Sequence, residues 1–304
     1  MKDVIVSDCG STGIIPFTYF GGAQKLVGST FLRVDCLSSY SHDFEKWIHG
    51  KKYDNLIFQK AYWKEMMELF KGPKILDICD PDWLRENLNI KEIGRMVHAI
   101  TCSSEALTSL MKNYFPNKIV VHVPDRLNPN AFPAPREKHK GSAKSVVWFG
   151  FIHNAHETLE QLLPTIKERN LNLRIISDKP YSKEDGILAL NPEYIRYNQR
   201  TAYELIKEAD IVLNPKSDKA FYKYKSNNKT LIGWKLGLPV AITSDDLARF
   251  IDPIERNKEI IAKEIQFVQD FHISKSAEQY REIIAAIRKQ YFSSSKEISS
   301  KIKT

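Results

Sequence analysis

The 304-residue sequence has few of the features that identify a protein at sight. Its four cysteines, Cys9, Cys36, Cys79 and Cys102, show no C-x-x-C spacing and lie mostly within apolar, strand-like runs. That leaves them as reduced, buried thiols of a cytoplasmic protein rather than a disulfide framework. No apolar run approaches the roughly 20 residues that span a bilayer. The opening MKDVIVSDCGSTG lacks the pattern of a signal peptide, so neither membrane insertion nor secretion is expected. There is no P-loop motif and no G-x-S-x-G nucleophile elbow, which disfavours a P-loop nucleotide hydrolase and an α/β-hydrolase. The eight histidines form no metal set: His153 and His156 stand three apart but have no Cys, Asp or Glu at ligand spacing, and no metal is expected.

What the sequence does carry is a basic surplus and a repeating rhythm. Lys and Arg outnumber Asp and Glu by 45 to 37, a formal charge of +8, which favours nucleotides, nucleic acid or acidic lipid headgroups as partners. The length suits two domains of ordinary size, each with its own core, and two lobes imply a cleft. In the first half DVIVS, DNLIFQ, KILDIC, VHAIT and KIVVHV alternate with helix-like stretches around 62–71 and 104–114. Such alternation predicts parallel sheets covered by helices. After Asp125 the segment RLNPNAFPAPREKHKGSAK is rich in proline, polar and basic residues, the composition of a linker. The alternation restarts with SVVWF, LRIIS, EYIRY, DIVLN and PVAIT. SAEQYREIIAAIRKQYF, apolar at Ile283, Ile284 and Ile287, predicts an amphipathic closing helix before a frayed tail from Ser293. The expected fold class is α/β, with two Rossmann-like doubly wound domains facing a cleft. They cover 1–130 and 144–275, with a linker at 131–143 and a closing helix and tail at 276–304.

The stretch KYKSNNKTLIGWKLGLPVAIT, residues 223–243, concentrates several signals. Ser226 and Asn227 are favoured N-caps, Ile232 and Leu236 share a helical face, and Gly237 followed by Pro239 stops the helix, which therefore opens at about Asn228. Its first turn offers backbone N–H groups and the positive end of the macrodipole, bracketed by Lys225 and Lys229: a setting for a phosphate or diphosphate. The helix follows the strand DIVLN by a long loop, and ligands of open α/β sheets lie outside the carboxyl ends of the strands. Lys216, Lys219 and Lys223 on that loop either assist or face water.

The phrase ADIVLNP…KSNNKTLIGWKLGLPVAIT resembles the nucleotide-binding region of GT-B-fold glycosyltransferases of the family 4, or group 1, type. SVVWFGFIHNAHETLEQLL is similar to that family's first C-domain strand with its glycine turn, and EYIRYNQRTAYELIKEADI to its base-binding strand and following helix. The resemblance spans about residues 145–245; YDNLIFQKAYW, KILDICDPDW, AITCSSEAL and VHVPDRLN match the N-terminal lobe more loosely. Where many members carry a pair of glutamates this chain has Tyr224 and Ile232. The basic pair that often follows the glycine turn is also absent, since Gly150 leads into Phe151, Ile152, His153 and Asn154. The phosphate-binding role accordingly passes to Lys225 and Lys229.

The resemblance implies a hexosyl- or pentosyltransferase that takes a UDP-linked sugar as co-substrate, retains anomeric configuration and needs no metal or other cofactor. Carried over by position, it places the donor on Gly150, Asn154 and Tyr197, and the helix opening read from the residues adds Lys225, Ser226, Asn227, Asn228 and Lys229. Gly150 lets the backbone approach the diphosphate, Asn154 touches phosphate or sugar, and Tyr197 lies beside the base. Helix-end N–H groups and lysines can stabilise the departing diphosphate without an ion. The acceptor falls to the N-terminal domain, where DICDPDW offers Asp77, Asp80 and Asp82. Asp80 and Asp82 either orient or deprotonate the acceptor or, as a D-x-D pair, collect Mn²⁺ or Mg²⁺; the first reading is favoured because the phosphate machinery lies in the second half. Lys60, ending DNLIFQ, is a further catalytic candidate. The clusters SDCGSTG and FGG, the latter with Gly21 and Gly22, occupy the place of the family's acceptor-side glycine loop. Two other functions fit the residues: transfer to a modified base in DNA, which the basic balance permits, and nucleotide binding without catalysis, motivated by the missing glutamates. Whether the acceptor is DNA, a glycan or a glycolipid is left open.

Overall fold

A computed structural model describes residues 15–19, 28–181 and 186–292. The expected strand DVIVS, both glycine clusters with Gly21 and Gly22, Cys9 and the tail from Ser293 lie outside the described residues. The chain forms two compact units. Unit 1 takes the described residues up to Asn128, Lys223–Ser226 and the chain from His272; unit 2 takes Pro129–Tyr222 and Asn227–Phe271.

Unit 1 is built on a six-stranded sheet of β1 (Ile15–Tyr19), β2 (Phe44–Lys46), β3 (Leu56–Gln59), β4 (Lys74–Ile78), β5 (Ala99–Cys102) and β6 (Ile119–His122). The order is β2-β1-β3-β4-β5-β6 and every neighbour is parallel. LIFQ, KILDI and AITC are apolar almost without a break and buried on both faces, as strands between two helix layers must be. β1 and β2 escape sequence reading because IPFTY holds a proline and FEK is only three residues long. Helices Lys64–Leu69, Ile90–Arg95 and Glu105–Tyr114 follow β3, β4 and β5. The last is capped by Ser104, whose Oγ accepts from Leu107 N–H at 3.2 Å.

The closing helix, Ser274–Ile287, packs with unit 1 and buries Tyr280, Ile283, Ile284 and Ile287. A buried polar network secures it. Arg33 donates to both carboxylate oxygens of Asp77, at 2.7 and 2.6 Å, and to Asp125 Oδ1 at 2.9 Å. The Tyr280 and Thr101 hydroxyls donate to Asp77 Oδ1 at 3.0 and 2.6 Å. Asp77 is thus a structural anchor, fully engaged within the protein. Cys36, Cys79 and Cys102 are free and buried, and burial pushes the thiols of Cys36 and Cys102 up to about 12.

Unit 2 holds β7 (Ser145–Gly150), β8 (Asn172–Ser177), β9 (Glu193–Arg196), β10 (Ile211–Leu213) and β11 (Val240–Ala241), all parallel, in the order β11-β10-β7-β8-β9. The chain steps outward from β7 to β9, then crosses back to β10 and β11, so the winding reverses between β7 and β10. At such a switch point the carboxyl-end loops diverge and leave room for a ligand. Trp148, Ile175, Ile211, Leu213, Leu247 and Phe250 centre the core beneath it. The Asn228–Lys235 helix ends at Gly237, whose φ of +72° and a virtual Cβ 2.3 Å from Arg136 O admit only glycine. Among the described residues no helix is long and apolar enough to cross a membrane.

Candidate active site

In unit 2 the switch point brings together residues far apart in sequence. Gly150 ends β7 with φ +140°, and a Cβ there would lie 3.0 Å from Lys229 Nζ. That ammonium stands 3.9 Å over the Trp148 ring, a cation–π contact that holds the charge at the carboxyl end of β7. Asn214, just beyond β10, donates to Thr230 Oγ1 at 2.9 Å and ties the first turn of the same helix to the neighbouring strand. Asn227 occupies the N-cap position, but its side chain makes no capping bond; it accepts instead from Lys216 Nζ at 3.2 Å. The Asn227 side chain thus leaves the first turn uncapped from its own position, and the ammonium groups of Lys216 and Lys229 accompany that turn. Burial pulls the pKa of Lys216 below its ordinary value.

The other donor candidates are placed differently. Asn154 is buried and its Oδ1 accepts from the Tyr222 hydroxyl at 2.9 Å, while that oxygen also lies 2.5 Å from Glu157 Oε2. Lys219 pairs with Glu157 at 3.0 Å. These bonds pin the loop after β10 onto the Ile152–Thr158 helix. The first amide of that helix, Ile152 N–H, donates to Asp178 Oδ1 at 2.9 Å. A diphosphate there would meet a carboxylate, so charge favours the Asn228–Lys235 end. Tyr197 follows β9, donates its N–H to Ser177 O at 2.8 Å, and has its hydroxyl pKa raised by burial. Lys225 and Ser226 belong to unit 1.

In unit 1 the loops after β3 and β4 converge. Lys60 Nζ bridges Asp80 Oδ2 at 2.7 Å and Asp82 Oδ1 at 3.1 Å, and the Tyr62 hydroxyl donates to Asp82 Oδ2 at 2.9 Å. Lys60 adopts φ +50°, uncommon for a residue with a side chain, and its N–H donates to Asp77 O at 2.9 Å. Burial pushes both carboxyls up. At Asp80 the charges of Lys60 and Lys225 outweigh it, and the group sits below the usual carboxylate range. At Asp82 burial prevails over Lys60, with the charge of Asp80 adding to the rise, and the group sits above that range. Burial works against a charged Lys60, but the two aspartates outweigh it and raise its pKa. Neighbouring carboxyls pushed in opposite directions suit different tasks. The ammonium fills the place between them that a divalent ion would take, so this D-x-D pair does not fit a Mn²⁺ or Mg²⁺ site. Among the described residues no three His, Cys, Asp or Glu side chains converge as metal ligands.

No family model and no curated protein matches the sequence. Solved structures do match. Anabaena HepE in complex with UDP and glucose aligns over 90% of this chain and 100% of its own, with TM-score 0.64 and 11% identity. An alpha-glucosyltransferase (AGT) in complex with UDP aligns over 90% and 99%, with TM-score 0.62 and 11% identity. S. aureus TarM, in a complex that includes UDP, aligns over 82% of this chain at TM-score 0.57 and 11% identity. The fold is GT-B. This chain spans only 58% of the length of TarM. At these identities the likeness speaks for the GT-B architecture, and the site rests on this chain's own residues. Several of them carry no motif signal: Tyr62, Asp178 and Thr230 have partners that only the folded units supply.

Proposed function

We propose that the protein is a glycosyltransferase that moves a sugar from a UDP-linked donor to a hydroxyl acceptor, with retention and without a metal ion. The observation that carries this reading is the meeting of Lys229, Gly150 and Trp148 at the unit 2 switch point. Cleavage of a nucleotide sugar builds negative charge on the diphosphate, and groups that meet that charge in the transition state accelerate the step. Lys229, Lys216 and the amides opening the Asn228–Lys235 helix supply them, and the positive φ of Gly150 lets the backbone come close. Asn154 and Tyr197 flank the sugar and the base. In unit 1, Asp82 takes the proton of the acceptor hydroxyl as that oxygen bonds the anomeric carbon on the face from which the diphosphate leaves, and Lys60 and Asp80 hold the carboxylate in place.

The test is calorimetric titration with UDP together with donor hydrolysis. Removing one charge-assisted contact, worth about 1.5–3 kcal/mol, should weaken UDP binding by about 10- to 100-fold in Lys229→Met. Unchanged affinity in a folded variant defeats the assignment. A second reading, nucleotide binding without turnover, has one observation in its favour. At the family's glutamate positions stand Tyr224, whose carbonyl accepts from Ser104 Oγ at 2.7 Å, and Ile232, which is buried. UDP binding with no turnover of any donor in a panel would select it.

A further inference from the structure

Unit 1 gathers positive charge at the amino edge of its sheet, opposite the loops that carry Lys60, Asp80 and Asp82. Ile75 pairs with Ala99, and Ala99 with Ile119. The residues just before them, Lys74, His98 and Lys118, therefore enter three neighbouring strands side by side, with the strands about 4.8 Å apart. His98 N–H donates to Lys74 O at 2.9 Å and Lys74 N–H donates to His98 Nδ1 at 3.1 Å, which locks the first two together. Lys71, three residues before Lys74, is exposed. Each ammonium is held by a main-chain carbonyl: Lys71 Nζ donates to Glu68 O at 2.9 Å, Lys74 Nζ to Met67 O at 2.7 Å, and Lys118 Nζ to Val97 O. Glu68 and Met67 belong to the end of the Lys64–Leu69 helix, where carbonyls without intrahelical partners attract a cation. Such contacts explain why each lysine is fixed, but not why three of them gather.

The charges that act on this cluster are of its own sign. Burial lowers the pKa of Lys74, with the charge of Lys71 adding to the fall, and lowers that of Lys118, with Lys74 adding. Burial also lowers His98 to about 4, aided by Lys74 and Lys118. Among the described residues no carboxylate enters any of these shifts. We propose that Lys71, Lys74, His98 and Lys118 form an anion site that binds a phosphate group, separate from the donor site read in unit 2. A phosphate ester brings about two negative charges and three strong acceptor oxygens to one centre, so it can accept from several of these groups at once and offset their mutual repulsion. A carboxylate brings one charge in one plane and leaves most of that repulsion standing. Lys74 opens β4 and Asp80 lies beyond its far end, roughly 15–20 Å along the strand, so the bound phosphate is not the reacting one. A soluble phosphate compound and a lipid headgroup offer the same chemistry.

The full chain is titrated at pH 7 with inorganic pyrophosphate while the His98 ring resonance, assigned by its loss in His98→Gln, is followed by NMR. The resonance should shift saturably with a Kd of about 1 mM or tighter, and sodium chloride at matched ionic strength should not reproduce the shift. Lys118→Gln should weaken binding about tenfold. Lys71→Gln, an exposed change that spares the fold, should weaken it about two- to fivefold. Lys229→Met should leave the His98 response unchanged, which keeps this site distinct from the donor reading. Flotation with phosphatidic acid vesicles identifies the source of the phosphate. Co-flotation that weakens in Lys118→Gln assigns a lipid headgroup, and pyrophosphate binding without co-flotation assigns a soluble compound. The inference is overturned if neither probe binds, if salt alone moves the resonance equally, if the response is lost in Lys229→Met, or if Lys118→Gln and Lys71→Gln both bind as well as the parent.

Discussion

Replacing Arg33 with methionine keeps an unbranched side chain of similar length and deletes the guanidinium. In the native chain that group donates five hydrogen bonds: two to Asp77, one each to Asp125, Val123 O and the Tyr280 hydroxyl. Arg33 is 4% exposed and Asp77 is 0% exposed, so the carboxylate cannot recruit bulk water in place of its partner. Breaking a buried ion pair from one side costs about 3–5 kcal/mol, a large share of the roughly 5–15 kcal/mol that separates folded from unfolded protein. Urea unfolding should show this loss. Hydrogen exchange should quicken first in Ser274–Ile287, because Tyr280 ties that helix to the network. The cause is separable from lost packing by the double variant Arg33→Met/Asp77→Leu. With the stranded carboxylate gone, it should recover about 1–3 kcal/mol relative to Arg33→Met, and not more, because the Thr101 and Tyr280 hydroxyls lose an acceptor and Asp125 stays unpaired with Arg33. A double variant no more stable than Arg33→Met refutes the reasoning.

Two further outcomes concern titration. Tyr62→Phe removes the hydroxyl that donates to Asp82 at 2.9 Å; losing a donor to the charged form raises a carboxyl already held high by burial. The acid limb of the pH–kcat profile should move up by about half a unit to one unit, and an unmoved limb means Asp82 is not the base. His98 accepts from Lys74 N–H through Nδ1 at 3.1 Å, and burial, aided by the charges of Lys74 and Lys118, lowers its pKa from 6.5 to about 4. Between those values the unfolded chain binds the proton and the folded chain does not, so stability falls as pH drops through that window. Partial solvent contact limits the effect to about 1–2 kcal/mol. Denaturant midpoints measured from pH 7 to pH 4 should decline less steeply in His98→Gln, and parallel curves would show that this imidazole contributes nothing.

What could be read in the sequence divides along physical lines. SVVWFG and KILDI announce themselves because a strand covered on both faces must be apolar throughout. The helix opening at Asn228 is legible because caps and stop signals are local. The same locality explains what is hidden. Periodicity marks Ile283, Ile284 and Ile287 as an inward face but does not say which sheet receives it, and the answer depends on Tyr280 meeting Asp77, 203 residues away. Asn227 has the chemistry of a cap and stands at the cap, yet Lys216 takes its side chain, a competition that no capping rule contains. Asp80 and Asp82 are the sharpest case. As letters in DPD they are interchangeable, and both stand within reach of Lys60. Burial raises both; the fold separates them by adding Lys225 to the cations that lower Asp80, whereas at Asp82 the pull of Lys60 leaves the rise in excess. Residue type therefore supplies the chemistry on offer, while the opposite shifts of the two carboxyls follow from charges delivered by remote parts of the chain. Reading those shifts from sequence would require knowing which loop brings Lys225 to Asp80, and that is a property of the fold.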